Sequence, residues 1–385
     1  MINRNYAFGA LVVLAGIVYV SLYPFHLKAG VPPSGALHHL LSTWREPPTS
    51  SGDVIANVLL YMPWGFFVAR SFHRSPTVLR ILIAAALGAA LSFAMEWAQF
   101  SSAERYADLH DVYTNTAGAL LGAIAALMLP SRRGDRLARD FDFQLFPALL
   151  LAAFIAVRLY PFVPVFDPHK YVAALRPLLV FASLGREDLF LRSVTWLVTC
   201  YLAETLFGRR SALLAYILIA CGVFLGRVVI ADAQLSPPSV VSALLAGAVW
   251  FALLRYLPGR VAILAIAFAA VVMLERLTPF RLAPIGHGFE WVPFLDLLRA
   301  PIESGFLVMI DKFFLYGALI WLLLRAGLRL WRATVAVALL LLFCSFVEMY
   351  LPGRSAGITD ALLALIIGIL LRLSATARQP AAQPV

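Results

Sequence analysis

The sequence predicts an all-α integral membrane protein that crosses the bilayer about twelve times. Three observations support this prediction: the composition, the length of the apolar runs and the recurrence of one tripeptide. Of the 385 residues, 62% are hydrophobic and only 14% are charged, and the mean hydropathy is +0.85. Because this apolar content is well above that of a soluble globular domain, the composition alone indicates a membrane protein.

Twelve apolar runs meet or approach the roughly 20 residues that a helix needs to cross a hydrocarbon core about 30 Å thick. Each run is expected to be helical because lipid offers backbone amides no hydrogen-bond partner. We expect the first run to be retained, since no small-x-small cleavage site follows it. The predicted spans are residues 6–23, 54–68, 79–100, 112–129, 143–162, 191–207, 212–230, 240–257, 261–277, 306–324, 333–351 and 358–371.

An internal repeat of four helices accounts for this rhythm. The first helix of each unit ends in a similar tripeptide, Tyr23-Pro24-Phe25, Tyr160-Pro161-Phe162 or Thr278-Pro279-Phe280. Each tripeptide is followed by a loop with an amphipathic patch that is predicted to lie on the membrane surface. These patches contain residues 38–41, 175–178 and 295–298. The predicted units are residues 1–140, 141–258 and 259–385.

The distribution of charge predicts that both termini are cytoplasmic. The formal net charge is +10, and with the N-terminus inside most arginines fall in short cytoplasmic loops, as the positive-inside rule requires. Nearly all remaining acidic residues then face outward. No basic domain or aromatic-interleaved patch is left outside the membrane, so we expect the lipid bilayer and no nucleic acid as a partner.

No pattern in the sequence predicts a metal or a cofactor. Cys200, Cys221 and Cys344 each lie in an apolar run, without the spacing of a disulfide framework or a zinc site, and are predicted to be buried thiols. His110 and neighbouring acids could bind a divalent cation, but no His-x3-His or Cys pair accompanies them. Motifs for a nucleotide, a flavin or a serine nucleophile are also missing from the sequence.

Polar residues of the first unit are expected to converge at the outer face. Each of three helices places two of them three or four residues apart, on one helix face. Arg105 is the expected counter-ion, because carboxylates gathered at low dielectric repel one another. The candidate ligand-binding residues are Asp53, Asn57, Glu96, Gln99, Arg105, Asp108, Asp111 and Asn115.

Two interpretations of these acids stay open. Asp108, Asp111 and Asp360 precede helices, where a carboxylate can cap backbone donors and complement the helix dipole. Glu96 instead lies inside an apolar helix near its C-terminus, where the dipole disfavours a carboxylate. We therefore predict a specific role for Glu96, as a substrate contact or as the partner of Arg105.

The spacing of these residues resembles the VanZ-like family. The pattern is Asp53-x3-Asn57-x5-Pro63-x-Gly65, then Glu96-x2-Gln99-x5-Arg105-x2-Asp108-x2-Asp111-x3-Asn115-x2-Gly118. The resemblance implies a multipass protein of the bacterial cytoplasmic membrane with a role in the envelope, since the namesake confers low-level teicoplanin resistance. The third unit repeats the pattern in reduced form and supplies a weaker second site of Asp311, Lys312, Glu348, Arg354 and Asp360.

The second unit resembles the family least and is predicted to be degenerate. It keeps Asp188 but places Arg192 four residues later, and Arg227 stands where the spacing predicts a glutamate.

Three functions follow from these residues. The preferred one is a non-enzymatic protein whose outer-face cluster binds a polar or lipid-linked envelope component, such as a lipid-linked glycan precursor, or a glycopeptide antibiotic. The second is a transporter or flippase of a lipid-linked glycan, because repeats and intramembrane charges are typical of transporters. The third is an enzyme in which Glu96 and Asp111 act as general acid and base while Arg105 holds a phosphate. The sequence predicts no oligomeric state.

Overall fold

The protein is described by a computed structural model that covers residues 3–23, 38, 40, 42–43, 51–100, 107–128, 136–179, 185–231, 233–278, 280–295 and 302–376. These residues are predominantly helical, and the extended backbone among them is limited to two isolated bridges, Pro164 with Ile230 and Glu290 with Gly357. The predicted all-α class is confirmed.

The helices are numbered in chain order over the described residues. They are α1 Arg4–Leu22, α2 Ser51–Ser71, α3 Thr77–Phe100, α4 Leu109–Met128, α5 Arg136–Leu159, α6 Pro168–Leu175, α7 Arg186–Val229, α8 Pro237–Ala252, α9 Arg260–Leu277, α10 Ile302–Arg325, α11 Leu330–Glu348 and α12 Thr359–Thr376. Short 3-10 turns at Arg176–Leu179 and Leu254–Tyr256 follow α6 and α8.

Six of the described helices are long and apolar enough to cross a membrane. They correspond to α2, α3, α7, α8, α10 and α11, and shorter apolar segments occur at Tyr6–Leu22 and Leu145–Leu159. The apolar helices indicate a membrane protein. Twelve crossings and cytoplasmic termini stay predictions.

The helix α7 combines the sixth and seventh predicted spans. It is broken at Gly208, whose backbone is not helical (φ 80°, ψ 159°). Glycine adopts this conformation readily because it has no Cβ. Cys200 is buried before the break, as predicted, and so is Cys344 in α11. The prediction for Cys221 is wrong: it is exposed, because an apolar helix buries only the side that faces other helices.

The chain divides into two compact units. The first comprises residues 1–138 with 297–306 and 370–385, and the second comprises residues 139–296 with 307–369. Tyr61 is fully buried in the first unit, and Trp250 and Phe154 are fully buried in the second. The predicted boundary at residue 258 lies inside the second compact unit.

In the first unit, glycines bring α2 and α4 into direct backbone contact. A Cβ at Gly118 would lie 2.3 Å from the Val58 carbonyl oxygen, and one at Gly122 would lie 1.9 Å from that of Met62. Because no side chain fits there, the two helices approach as closely as small residues allow in membrane bundles. The N-terminal ends of α2 and α4, which carry most of the candidate residues, are thereby held side by side.

Two of the repeated tripeptides form the same backbone turn. Phe162 and Phe280 both have positive φ, 62° and 57°. The Phe162 amide donates to the Leu159 carbonyl oxygen and the Phe280 amide to that of Leu277, both at 2.9 Å. Pro24, Phe25 and Pro279 lie outside the described residues, as do parts of the patches at 38–41 and 295–298. The patch at 175–178 spans the end of α6 and the turn after it.

Candidate functional site

The first link in the candidate site joins α2 to α4. The Asn57 amide donates from Nδ2 to Oδ1 of Asp111 at 2.8 Å. Both residues come from the predicted outer-face set, and they are 54 positions apart in sequence. The close α2–α4 contact therefore brings two of the predicted side chains into hydrogen-bond distance.

Glu96 joins α3 to the N-terminus of α4. Its side chain is 2% exposed, and its Oε2 accepts a hydrogen bond from the Asp108 amide at 2.9 Å. Asp108 in turn accepts at Oδ1 from the His110 amide at 3.0 Å and lies 3.1 Å from His110 Nδ1. Asp108 thus caps α4. The positive end of the α4 dipole favours the Glu96 carboxylate, although the C-terminus of its own helix does not.

Sequence reasoning missed two residues of this site, Ser92 and Tyr61. Ser92 is fully buried, accepts from Asn115 Nδ2 at 2.8 Å and lies 3.5 Å from the Asp111 carbonyl oxygen. The Tyr61 side chain is fully buried, and its hydroxyl interacts electrostatically with Glu96 and Asp111 but has no hydrogen-bond partner among the described residues. Their signal is spacing, because Ser92 precedes Glu96 by four residues and Tyr61 follows Asn57 by four.

The remaining predicted residues of the first unit are placed differently. Gln99 donates from Nε2 to the Ser21 carbonyl oxygen at 2.8 Å, so it joins α3 to the end of α1. Asp53 lies in the first turn of α2 and is partly exposed. Arg105 lies outside the described residues, and its predicted pairing with the carboxylates stays a prediction.

The described part of this site is rich in hydrogen-bond acceptors. Within it, no lysine or arginine forms an ion pair with Glu96, Asp108 or Asp111. The buried Oε1 of Gln99 and Oδ1 of Asn115 have no hydrogen-bond donor among the described residues. Across the same residues, no group of three or more His, Cys, Asp and Glu side chains is arranged to hold a metal ion. The arrangement can therefore accept hydrogen bonds from a ligand that carries hydroxyl or amino groups.

The acids of the third repeat are neutralised by a residue that sequence reasoning missed. Arg276, near the end of α9, donates from Nε to Glu348 Oε1 at 3.0 Å and from Nη1 to the carboxylate of Asp360. It also donates to Tyr316 Oη and Ser345 Oγ, each at 3.0 Å. Lys312 Nζ lies 2.6 Å from Asp360 Oδ1. This network resembles a structural ion cluster more than an open ligand site.

Two other members of the predicted second site lie apart from this network. Arg354 donates to the carbonyl oxygens of Glu275 and Thr278 at 2.7 to 3.0 Å, at the C-terminus of α9 where a cation complements the dipole. Asp311 interacts electrostatically with Lys312 and with Arg158 of α5.

The signal for Arg276 is its position relative to the repeated tripeptide. Arg276 precedes Thr278 by two residues, and Arg158 precedes Tyr160 by two. Ser21, whose carbonyl oxygen binds Gln99, has the same position in the first repeat. A charged residue at this position inside an apolar helix predicts a buried partner.

One comparison found a family model that matches part of the chain. The family model described as VanZ/LLP1 matches residues 6–130, which include every predicted site residue of the first repeat. The VanZ-like resemblance is confirmed for this part of the chain, and the number of copies stays a prediction. No curated protein and no solved structure matches the chain.

Proposed function

We propose that this chain, whose residues 6–130 match VanZ/LLP1, is a multipass protein of the bacterial cytoplasmic membrane that binds a polar envelope component at the first-unit cluster. The ligand is the head group of a lipid-linked glycan precursor or a glycopeptide, and binding does not change it chemically. The cluster is defined as Asp53, Asn57, Tyr61, Ser92, Glu96, Asp108, Asp111 and Asn115.

The observation that carries this proposal is the buried carboxylate of Glu96 in an apolar helix. Such a group is costly unless a specific partner compensates it, and intramembrane acids are therefore often functional. One oxygen of Glu96 accepts a backbone amide, and the neighbouring groups on α2 and α4 present further acceptors. Glycans and glycopeptides carry many hydroxyl and amino donors, which complement such a surface.

The four-helix repeat supports an architecture of three units. The turns at Phe162 and Phe280 share positive φ and the same hydrogen bond to the third residue before them. Arg158 and Arg276 share one position relative to these turns. We infer twelve crossings, with the outer ends of the helices carrying the cluster.

Replacing Glu96 with Gln is expected to abolish ligand binding while the protein stays folded, since the amide keeps an oxygen that can accept the Asp108 amide but loses the charge. The measurement is native mass spectrometry of the full chain with a lipid-linked cell-wall precursor, teicoplanin or an anionic phospholipid. Glu187→Gln, an exposed acid in α7, is the matched control. Equal binding by wild type and Glu96→Gln would contradict the proposal, and a change in ligand mass would make the protein an enzyme.

Reporter fusions test the orientation on which the outer-face assignment depends. A fusion after Arg136 is expected to report a cytoplasmic location, and one near Pro48 an external location, because the basic residues follow the positive-inside rule. Paired fusions of a phosphatase and a fluorescent protein at each position give opposite signals and control for expression. The reverse pattern would place the cluster at the cytoplasmic face and would contradict the proposal.

A further inference from the structure

A polar region at one end of the second compact unit is separate from the first-unit site and from the Arg276 network, and of the predicted second-site residues it includes only Asp311. Arg158 lies near the end of α5, and Arg227 lies near the end of α7. A Cβ at Gly226 would lie 2.6 Å from the Leu159 side chain. The residues next to the two arginines are therefore in contact, which brings the two guanidinium groups to the same end of the unit.

Helices α9 and α10 complete this region. The Arg158 guanidinium lies 3.6 Å from the Phe154 ring centroid, and Phe154 packs against Phe314 of α10 with centroids 5.5 Å apart. Arg158 interacts electrostatically with Asp311 of α10 and Glu275 of α9. Cations and anions are thus gathered between four helices.

Arg158 and Arg227 have N–H donors that bind no acceptor among the described residues. Arg276, at the equivalent position of the next repeat, makes five hydrogen bonds, as many as a guanidinium has N–H donors. Arg158 instead donates to the Phe154 carbonyl oxygen at 3.2 Å, and Arg227 has a buried Nε without a partner among the described residues. An unpaired buried donor is costly, so a missing acceptor is expected there.

The neighbouring charges do not supply that acceptor within the described residues. Arg192 is paired with Asp188 at 2.6 Å and donates to Ser239 Oγ at 3.0 Å. Neither Glu275 nor Asp311 forms an ion pair with Arg158 or Arg227 in the described chain. A purely anionic ligand would meet these two carboxylates, whereas a ligand with an anionic and a cationic group satisfies both sets of charges.

An apolar groove of about 490 Å³ begins at this region. Leu159 and Val223 line one end, next to Arg158 and one turn before Arg227, and Phe207 and Ser211 line the other. From Ser211 to Val223 the helix rises about 18 Å at 1.5 Å per residue. This length is close to half of a hydrocarbon core about 30 Å thick.

We propose that the second compact unit binds a zwitterionic phospholipid between α5, α7, α9 and α10. Arg158 and Arg227 bind the phosphate, Glu275 and Asp311 bind the ammonium group, and the groove between Leu159 and Ser211 holds an acyl chain. Arginine suits the phosphate because its planar donors pair with two oxygens at once. The binding is non-covalent.

The first test is native mass spectrometry of the full chain titrated with phosphatidylethanolamine. One lipid is expected to bind per chain, and Arg227→Gln is expected to weaken binding at least ~10-fold, because it removes a charge-assisted pair. Arg227→Lys keeps the charge and is expected to recover part of the loss if the protein folds normally. Arg210→Gln, an exposed arginine of the same helix, is the matched control and should bind as wild type does.

The second test fills the groove without disturbing the packing. A Cβ at Gly222, which lines the groove, would meet nothing within 4 Å, and the same is true of Gly16 in the first unit. Gly222→Leu is expected to weaken lipid binding about 10-fold, since one acyl chain loses its apolar contacts. Gly16→Leu is the control and should leave lipid binding unchanged.

Competing ligands distinguish the sources of the phosphate. Soluble O-phosphoethanolamine that displaces the lipid would support recognition by the head group alone, and failure to displace it would support a contribution from the acyl chain. Phosphatidylglycerol that binds as tightly as phosphatidylethanolamine would overturn the proposed ammonium contact. Unchanged binding by both Arg227→Gln and Gly222→Leu would overturn the site. None of these outcomes tests the ligand binding proposed at Glu96, because that residue belongs to the first compact unit.

Discussion

Replacing Arg276 with Met is expected to destabilise the second compact unit strongly. The guanidinium pairs with both Glu348 and Asp360, which are 3% and 8% exposed, and among the described residues only Asp360 forms a second ion pair, with Lys312. Removing one partner of a buried ion pair typically costs about 3–5 kcal/mol, because a charge is left without compensation. Thermal unfolding of the purified protein in detergent should show a large fall in the midpoint temperature.

Two further variants identify the cause of that fall. Arg329→Met removes an exposed arginine that precedes α11 and is expected to leave the midpoint unchanged. The triple variant Arg276→Met, Glu348→Gln, Asp360→Asn removes three of the four charges of the network and leaves Lys312, whose side chain is 31% exposed. It is expected to recover much of the lost stability, since no carboxylate stays unpaired. If Arg276→Met unfolded at the temperature of the wild type, the network would not be a stabilising ion cluster.

Replacing Gly122 with Ala is expected to separate α2 from α4 and to disrupt the first-unit cluster. The added methyl group would lie 1.9 Å from the Met62 carbonyl oxygen, and a backbone atom cannot move aside as a flexible side chain can. Overpacking of this kind costs about 1–3 kcal/mol and sometimes more. The expected result is a lower midpoint temperature together with loss of the ligand binding proposed for the cluster.

Gly16→Ala is the matched control for this prediction. Nothing lies within 4 Å of a Cβ built at Gly16, and alanine favours a helix over glycine. We therefore expect unchanged or slightly higher stability. A Gly122→Ala protein that keeps the midpoint temperature of wild type would show that the two helices do not pack as closely as described.

The sequence was sufficient for the helices and for much of the first-unit set. Apolar runs long enough for lipid must be helical, because each helix satisfies its own backbone groups locally. The spacing of Asn57 and Asp111 within the family pattern also indicated a shared site, and the two side chains are in contact. Ser92 and Tyr61 could have been found by the same spacing, one turn from Glu96 and Asn57.

By itself, the sequence determined an all-α membrane protein, the approximate helix positions and the VanZ-like motif, because hydrophobicity, helix formation and motif spacing are local properties. Only the tertiary structure decided which charges meet. It paired Glu348 and Asp360 with Arg276 and directed Arg354 to carbonyl oxygens at the end of α9. It also left Arg227 beside Arg158, with a donor unpaired among the described residues. These pairings of charged side chains depend on which helices are neighbours. Residues more than 70 positions apart in the sequence become partners only when the helices pack.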